Sequence, residues 1–520
     1  MRAAVLDIGS NSIKLVIGEK AGDDIKVLES LKNVVPIGRN TFFRGRIAQE
    51  TINQTISLFE KYQQCLKEYD VKEVVVIATT AVREAANRDM FVDTVMRKTG
   101  LKVEVLNVGD VVYYIDAYLS YKLKKKYPIH EKNLLIVELG AGSVDISVLE
   151  KGFTQMSVGI PVGTLRLKNF MNSLDGTLQE IYEAVEEYIV NEIHYVKKSI
   201  PHLKIDDVIV VDENYSGYLN NFVPSRSRQS EFFQFRIKES EDLLAKLTES
   251  YPETVAVSYE VPADVVETMT GYAIIVNKIF RLTKNKYIYI LETSLAEAVL
   301  ANMIFKLELF QENNKTNQLI SVAQNLCGKY KMDLNHCRHV AELSESLFNQ
   351  LQDTLGLKKE DLICLTLAAY LHDIGMFVNN RTHHKHSEYV IGSLNLFRLT
   401  EEEMNMIACI ARYHRKGAPS RSHLLYNSLS SEHQILVQKL SALLRMANAL
   451  DRSHKQKIKK VEVIFNSKGD VNVIAQASGN LLLEKAFFKD KKELFEEITG
   501  NRVTLTLKSR ELPEKSDDTK

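Results

Sequence analysis

Asp7-Ile8-Gly9-Ser10-Asn11-Ser12-Ile13-Lys14-Leu15 and Glu138-Leu139-Gly140-Ala141-Gly142-Ser143-Val144-Asp145-Ile146 align without a gap. Both read acid, aliphatic, Gly, small, small or Asn, Ser, β-branched, charged, aliphatic. Each follows a β-type run, Ala3–Leu6 or Leu134–Val137, and leads into another, Leu15–Ile17 or Ile146–Val148. The pattern predicts two strand–turn–strand hairpins, each with an acid at the end of its first strand. Gly9, Gly140 and Gly142 allow close backbone approach, so turn N–H groups and serine hydroxyls converge on a phosphate as in an anion nest. Two such hairpins facing each other hold a phosphate chain between them, with the acids placed to carry a divalent metal. One hairpin alone is equally an ordinary Gly-Ser turn. The repeat carries the phosphate reading, because internal duplication is rarely accidental.

The chain of 520 residues has room for three or four domains. Lys plus Arg and Asp plus Glu both number 67, so no net charge draws the protein to duplex nucleic acid or to a membrane surface. No run reaches the roughly 18–20 apolar residues of a membrane span, and the first residues read as a strand carrying Asp7, not as a signal peptide. Five cysteines without CxxC spacing suit reduced thiols in a cytoplasm. Ten of the thirteen histidines lie between His336 and His454, which marks a separate domain with its own chemistry.

Along the chain, residues 1–125 read as strands, a long amphipathic helix from Ile47 to Glu68, then alternating strands and helices. Strand Val74–Ile77 runs into Ala78-Thr79-Thr80-Ala81-Val82-Arg83-Glu84-Ala85-Ala86-Asn87, a small-residue turn opening a helix. Arg83 there offers a planar fork to phosphate oxygens, or is a solvated surface arginine. Residues 126–310 hold the second hairpin, the turn Gly159-Ile160-Pro161-Val162-Gly163-Thr164 at the mouth of the same cleft, an amphipathic helix from Leu178 to Lys198 and a buried strand Val208–Val211. Polar Gln311–Gln318 reads as a linker. Residues 319–456 have helical period throughout, and 457–510 return to alternation as a small α/β cap. The charged tail Glu511–Lys520 reads as frayed.

The motifs Asp7–Leu15, Ala78–Ala85, Glu138–Asp145 and Gly159–Gly163 together resemble the exopolyphosphatase/guanosine pentaphosphate phosphohydrolase (Ppx/GppA) family, and the histidine-rich region is similar to the HD-type domain that follows the phosphatase module in longer members. The resemblance covers nearly the whole chain. It implies an α/β fold of two actin-like, ribonuclease-H-like domains around a cleft, followed by an all-α HD-type domain and the small cap. It also implies Mg²⁺-dependent removal of the terminal phosphate from inorganic polyphosphate or pppGpp. Such chemistry needs amides to hold equatorial oxygens, a metal to offset charge and a carboxylate to orient water. By resemblance Gly9, Ser10, Asn11, Ser12, Gly140, Gly142 and Ser143 form the phosphate cradle, Arg83 is an added clamp, and Asp7, Glu138 and Asp145 hold or flank the metal.

The chain departs from the family pattern on the catalytic elements. The family writes Asp and Glu where this chain has Glu138 and Asp145, so carboxylate reach changes at each site. The catalytic glutamate aligns with Val111, which does neither acid nor base work, leaving Asp110 beside it as the expected water-positioning base and Asp116 as a more distant candidate. The later Gly-Thr-type phosphate turn has become Val211-Asp212-Glu213-Asn214-Tyr215-Ser216-Gly217.

In the histidine region, His336 opens a helix and adjacent His372-Asp373 closes another, so neighbouring N and O ligands join a distant His in a site for a divalent transition metal. His386 and His414 are further ligand candidates. Asn448 stands where the HD pattern has its closing aspartate, and Asp451 lies about one turn on. His339, His383, His384, His423, His433 and His454 read as structural or surface histidines. Three functions follow: a phosphoanhydride hydrolase in the cleft; a catalytically weak relative that binds polyphosphate or a guanosine alarmone as a sensor; or a metal-dependent phosphohydrolase in the HD-type domain. The expected protein is a cytoplasmic homodimer.

Overall fold

The computed structural model describes residues 2–123, 126–199, 204–223, 228–229, 232–305, 312–467 and 469–509. The chain forms two units, Met1–Lys315 and Thr316–Lys520. In the first, strands β1 (Arg2–Ile8), β2 (Ser12–Ala21), β3 (Asp24–Val34), β4 (Glu73–Ala78) and β5 (Val103–Val105) form a sheet of order β3-β2-β1-β4-β5. A second sheet contains β6 (Asn133–Leu139), β7 (Val144–Glu150), β8 (Phe153–Ile160), β9 (Asp207–Val211), β10 (Arg228–Gln229), β11 (Phe232–Arg236) and β12 (Tyr287–Leu291), in the order β10-β11-β12-β9-β6-β7-β8. Read outward from β6, its β8-β7-β6-β9-β12 portion repeats the first sheet, with β11 and β10 added at one edge. In each sheet an antiparallel meander of three strands is joined on one side by parallel strands. The duplicated turns are therefore the tips of equivalent hairpins.

The two expected hairpins are present in matching register. Asp7 pairs with Lys14 and Ile8 with Ile13; Glu138 pairs with Asp145 and Leu139 with Val144. Their apolar residues bury on both faces, as strands covered on each side require. One hydrophobic cluster belongs to the first sheet, a second to the second, and a third lies between them. That third cluster is built on helices Val108–Leu123 and Leu295–Phe305. Helix Val108–Leu123 packs on β7 and β8, whereas Leu295–Phe305 packs on β1 and β2. A helix from the end of the first unit thus completes the layer over the first sheet.

The second unit is helical through Leu334–Leu355, Leu362–Leu371, His383–Gly392, Glu401–Arg412 and Ser431–Leu450, then carries the sheet β13 (Ile458–Phe465), β14 (Val471–Ala477) and β15 (Val503–Ser509). The stretch read as a linker is helical from Glu312 onward, within Glu312–Lys329. Its Asn and Thr residues are weak helix formers, but the segment runs into Leu319, Val322 and Ala323, which are buried, and that packing holds the helix. Gln311 and the tail Glu511–Lys520 lie outside the described residues. Among the described residues no helix is long and apolar enough to cross a membrane.

Asp116, the more distant base candidate, sits in the core beneath β7, where its Oδ1 accepts from Ser147 Oγ at 2.8 Å. It is 6% exposed, and burial pushes its carboxyl up to about 8 against the opposing hydroxyls of Ser147 and Thr154. A folded-state value above the unfolded one means that stability is fully present below the unfolded value near 4 and is lost as pH rises toward 8. Asp116→Asn removes that loss. Between pH 5 and 7 the stability of the variant relative to wild type is expected to rise by about 1.4 kcal/mol per pH unit. Chemical denaturation at each pH measures it; pH-independent differences contradict it.

Candidate functional site

The cleft is assembled from four strand ends. β1 and β6 are neighboured in parallel by β4 and β9, with Asp7 level with Ile77 and Glu138 level with Val211. Chain leaving β4 supplies Thr79 and Thr80, and chain leaving β9 supplies Glu213 and Asn214. In both hairpins the glycine after the acid-aliphatic pair donates its N–H across the turn, Gly9 to Ser12 O and Gly140 to Ser143 O, each at 3.0 Å. The turns meet. A Cβ on Gly142 would stand 2.5 Å from Ser10 Oγ and 2.7 Å from the Phe42 ring, so only glycine allows this approach. Ser143 Oγ lies 2.8 Å from Thr80 Oγ1, joining the second turn to the end of β4.

A cavity of about 480 Å³ opens here, lined by Gly9, Ser10, Asn11, Ser12, Gly140, Gly142 and Ser143 together with Asp7, Glu138 and Asp145. Every residue assigned from sequence to the cradle or the metal therefore borders one space. Thr164 and Leu165, after the Gly-bounded turn, border it as well.

The floor is acidic. Burial and the Glu213 carboxylate push Asp7 up to about 7 despite Lys14 and Lys32. Burial, then Asp145 and Asp7, raise Glu138 well above the carboxylate range. Burial pushes Asp145 up to about 6, against Arg83 and the Ser143 hydroxyl. Asp7 Oδ1 and Asp145 Oδ1 are buried without a hydrogen-bond partner. Carboxylates crowded in this way want a cation.

Two expectations change. Asp110 is not placed as a base: its Oδ2 accepts from Asn107 N–H at 3.2 Å while its own N–H donates to Asn107 Oδ1 at 2.9 Å. This reciprocal pair closes the N-terminus of Val108–Leu123, whose first amides lack partners within the helix. Val111 borders the cavity instead, 2% exposed. Nor does Arg83 border it. Its Nη1 donates to Leu106 O at 2.8 Å and Nη2 to Thr80 Oγ1 at 3.3 Å, so it acts behind the floor as a counter-charge to Glu138 and Asp145.

Reading single motifs missed the residues that bridge the cleft. Lys14, 8% exposed, donates to Glu213 Oε1 at 2.8 Å and to Ser294 Oγ at 3.1 Å. Lys32 donates to Asn214 Oδ1 at 2.6 Å and stands 3.7 Å from Glu213. At the other side Arg166 donates to Gly142 O and to both oxygens of Glu84, and its guanidinium lies 4.0 Å over the Phe42 ring. The signal for Lys14 was present in the repeat, where it stands at the position of Asp145. Its partner Glu213 is 199 residues away, beyond any local pattern.

In the helical unit, His336, His372, Asp373 and His414 do gather, and two expected ligands do not join them. Asp451 accepts from His336 Nδ1 at 2.9 Å and from Gln456, so it orients His336 from behind. His386 points its Nε2 at Thr382 Oγ1, 3.1 Å away. His383, read as structural, takes its place: its Nε2 lies 3.1 Å from His414 Nε2 and 3.2 Å from Asp373 Oδ1. Residues three apart on a helix share nearly one face but lie about one turn apart along it, so His383 reaches Asp373 and His414 while His386 meets Thr382. Among the described residues, the metal-capable groups of three are His336–Asp373–His454 and Asp373–His383–His414. Burial lowers His372 to about 4 and His414 well below its usual range. Burial alone would raise Asp373, but the imidazoles of His372, His383 and His414 outweigh it and hold its carboxyl well below the usual range.

Comparison with known proteins bears on both units. Residues 15–306 match the model of the Ppx/GppA phosphatase family, and residues 320–494 match that of Ppx/GppA phosphatase, domain III. A guanosine-5'-triphosphate,3'-diphosphate pyrophosphatase of Pseudoalteromonas translucida is 20% identical over 85% of this chain and 86% of its own length. A bifunctional 3-dehydroquinate synthase/phosphatase of Fusobacterium nucleatum is 25% identical over 39% of this chain, which spans 30% of that relative. The crystal structure of the Aquifex aeolicus Ppx/GppA family member matches with a TM-score of 0.50 at 22% identity, covering 59% of this chain and 98% of that one. An exopolyphosphatase from Cytophaga hutchinsonii matches with a TM-score of 0.53 at 18% identity, covering 60% and 100%. The fold of the first unit is thus the actin-like one of these phosphatases, and the chain belongs to the Ppx/GppA phosphatase family.

Proposed function

We propose that the cleft hydrolyses the terminal phosphoanhydride of inorganic polyphosphate or of a guanosine pentaphosphate. The observation that carries this reading is the meeting of two acid-Gly-Ser turns, alike in register and turn hydrogen bond, over a floor of partnerless carboxylate oxygens. The floor fits Mg²⁺: Asp7, Glu138 and Asp145 would hold it, and when bound it offsets the charge of the phosphate chain. The three do not converge as closely as the histidine groups of the helical unit, which suits an ion that keeps several waters. The turn amides and the hydroxyls of Ser10, Ser12 and Ser143 hold phosphate oxygens, and Lys14 and Lys32 supply positive charge along one wall. With Asp110 spent on the helix cap, orientation of the attacking water falls to the acidic floor.

A second reading has its own observation. Apolar Val111 stands on the cleft wall, and the Lys14–Glu213 pair already neutralises part of the cation set. These favour a cleft that binds polyphosphate or an alarmone and turns over slowly. In the helical unit, His372-Asp373 at a helix end facing His336 supports an HD-type assignment. The five free cysteines suit a reducing, cytoplasmic setting.

Phosphate release from polyphosphate and pppGpp with Mg²⁺ tests the hydrolase directly, and chelation of the metal should abolish it. Gly142→Ala forces the two turns apart, and turnover should fall by about 100-fold, since displacement of a cradle by about 1 Å has that effect. Release unaffected by this change sinks the assignment of the cradle. Val111→Glu returns a carboxylate to the wall, and a rise in kcat of roughly 100-fold is expected, the scale of a positioned general base. Tight binding without phosphate release in either protein leaves the sensor reading in place of the hydrolase.

A further inference from the structure

The strongest cluster of unused chemistry lies in the helical unit, around Asp373. Three imidazoles share one arrangement there. His372 Nδ1 donates to Ala369 O at 2.8 Å, His383 Nδ1 to Asn380 O at 2.8 Å, and His414 Nδ1 to Ala411 O at 2.6 Å. His336 Nδ1 is likewise engaged, by Asp451 at 2.9 Å. In all four rings the outer nitrogen is tied to an oxygen, which leaves Nε2 to face inward. This is how second-sphere oxygens orient imidazoles for a metal.

The inward nitrogens are poorly served by protein alone. Nε2 of His336, in a residue 1% exposed, and Nε2 of His372, in one fully buried, have no hydrogen-bond partner. Nε2 of His383 and His414 face each other at 3.1 Å, with Asp373 Oδ1 at 3.2 and 3.7 Å. Arg415 Nη1 approaches the His383 ring at 3.3 and 3.4 Å, nearly equidistant from both nitrogens and so outside the lone-pair direction of either. A proton shared between His383 and His414 would satisfy one contact and leave the other lone pairs buried unmet, which is costly. Close packing also fixes the geometry: a Cβ on Gly375, two residues after Asp373, would stand 2.2 Å from His383 O. That contact holds the His372–Asp373 helix end against the start of the helix bearing His383.

We infer that Asp373 Oδ1, His383 Nε2 and His414 Nε2 bind one divalent transition metal. Two imidazoles and a carboxylate select Zn²⁺, Fe²⁺, Co²⁺ or Mn²⁺ over Mg²⁺, and three protein ligands leave a position open for water. His372 and His336 border the ion, with Asp451 behind His336. This site is independent of the cleft.

The test is Co²⁺ titration of the metal-stripped full chain in millimolar Mg²⁺, which occupies the carboxylates of the cleft. One equivalent is expected, with visible d–d absorption and a raised Tm. His383→Ala and His414→Ala should each weaken binding by more than the roughly 10–100-fold that loss of an outer-sphere partner costs, while His386→Ala leaves it unchanged. Where alanine unfolds the unit by circular dichroism, His383→Gln replaces it. No binding to wild type, unchanged binding in both ligand variants, or loss on His386→Ala overturns the assignment. Phosphate release in Mg²⁺ alone reports on the cleft, so either reading can fail without the other.

Discussion

Adjacent antiparallel strands hold the carboxylates of Glu138 and Asp145 directly opposite each other, and Asp7 faces them from the equivalent hairpin. Side chains so paired stand about 4.5–5.5 Å apart at Cβ, where like charges repel. Burial raises all three carboxyls, and at Glu138 the charges of Asp145 and Asp7 raise it further. The sheets impose this crowding because their core residues fix the register: slipping one strand by a residue would move every side chain to the opposite face of the sheet. Arg83 offsets part of the charge from behind, and the remaining imbalance is what the proposed cation would neutralise.

The same constraint makes sense of the altered elements. Val111 puts an apolar side chain on the wall formed by the Val108–Leu123 helix, and Glu213 puts a carboxylate on the cavity wall just past the end of β9. Another fixed anion beside the floor would deepen the repulsion, and Glu213 is accommodated by Lys14, which stands across the ladder from Asp7. Arg166 makes a second bridge by a different route, its Nη2 shared between both oxygens of Glu84 while the guanidinium stacks on Phe42. Both bridges join residues from the two halves of the duplication, so opening the cleft means breaking them together.

The helical unit solves a similar problem with nitrogen in place of oxygen. Its histidines stay buried because each outer nitrogen donates to an oxygen, most of them carbonyls at helix ends that have no partner within the helix. The cost of that arrangement is a set of inward lone pairs around one carboxylate. Local backbone geometry, repeated three times, thus produces the convergence.

Much of the cleft was legible in the chain itself. The repeat of Asp7–Leu15 in Glu138–Ile146 determined two equivalent hairpins, their turn glycines and the acids at their ends, because strand alternation and turn chemistry are local properties. The residues proposed to hold phosphate come from the same two stretches and border one cavity. What the sequence by itself could not decide was which neighbour each side chain meets. Asp110 looked free to serve as a base until the helix cap claimed it, and Arg83 looked like a clamp until Leu106 O did. Glu213 became a partner of Lys14, and His383 displaced His386, only once helices distant in sequence were brought together. Hydrogen bonds and ion pairs are short-ranged and directional, so their assignment waits on packing, and packing is set by the whole core.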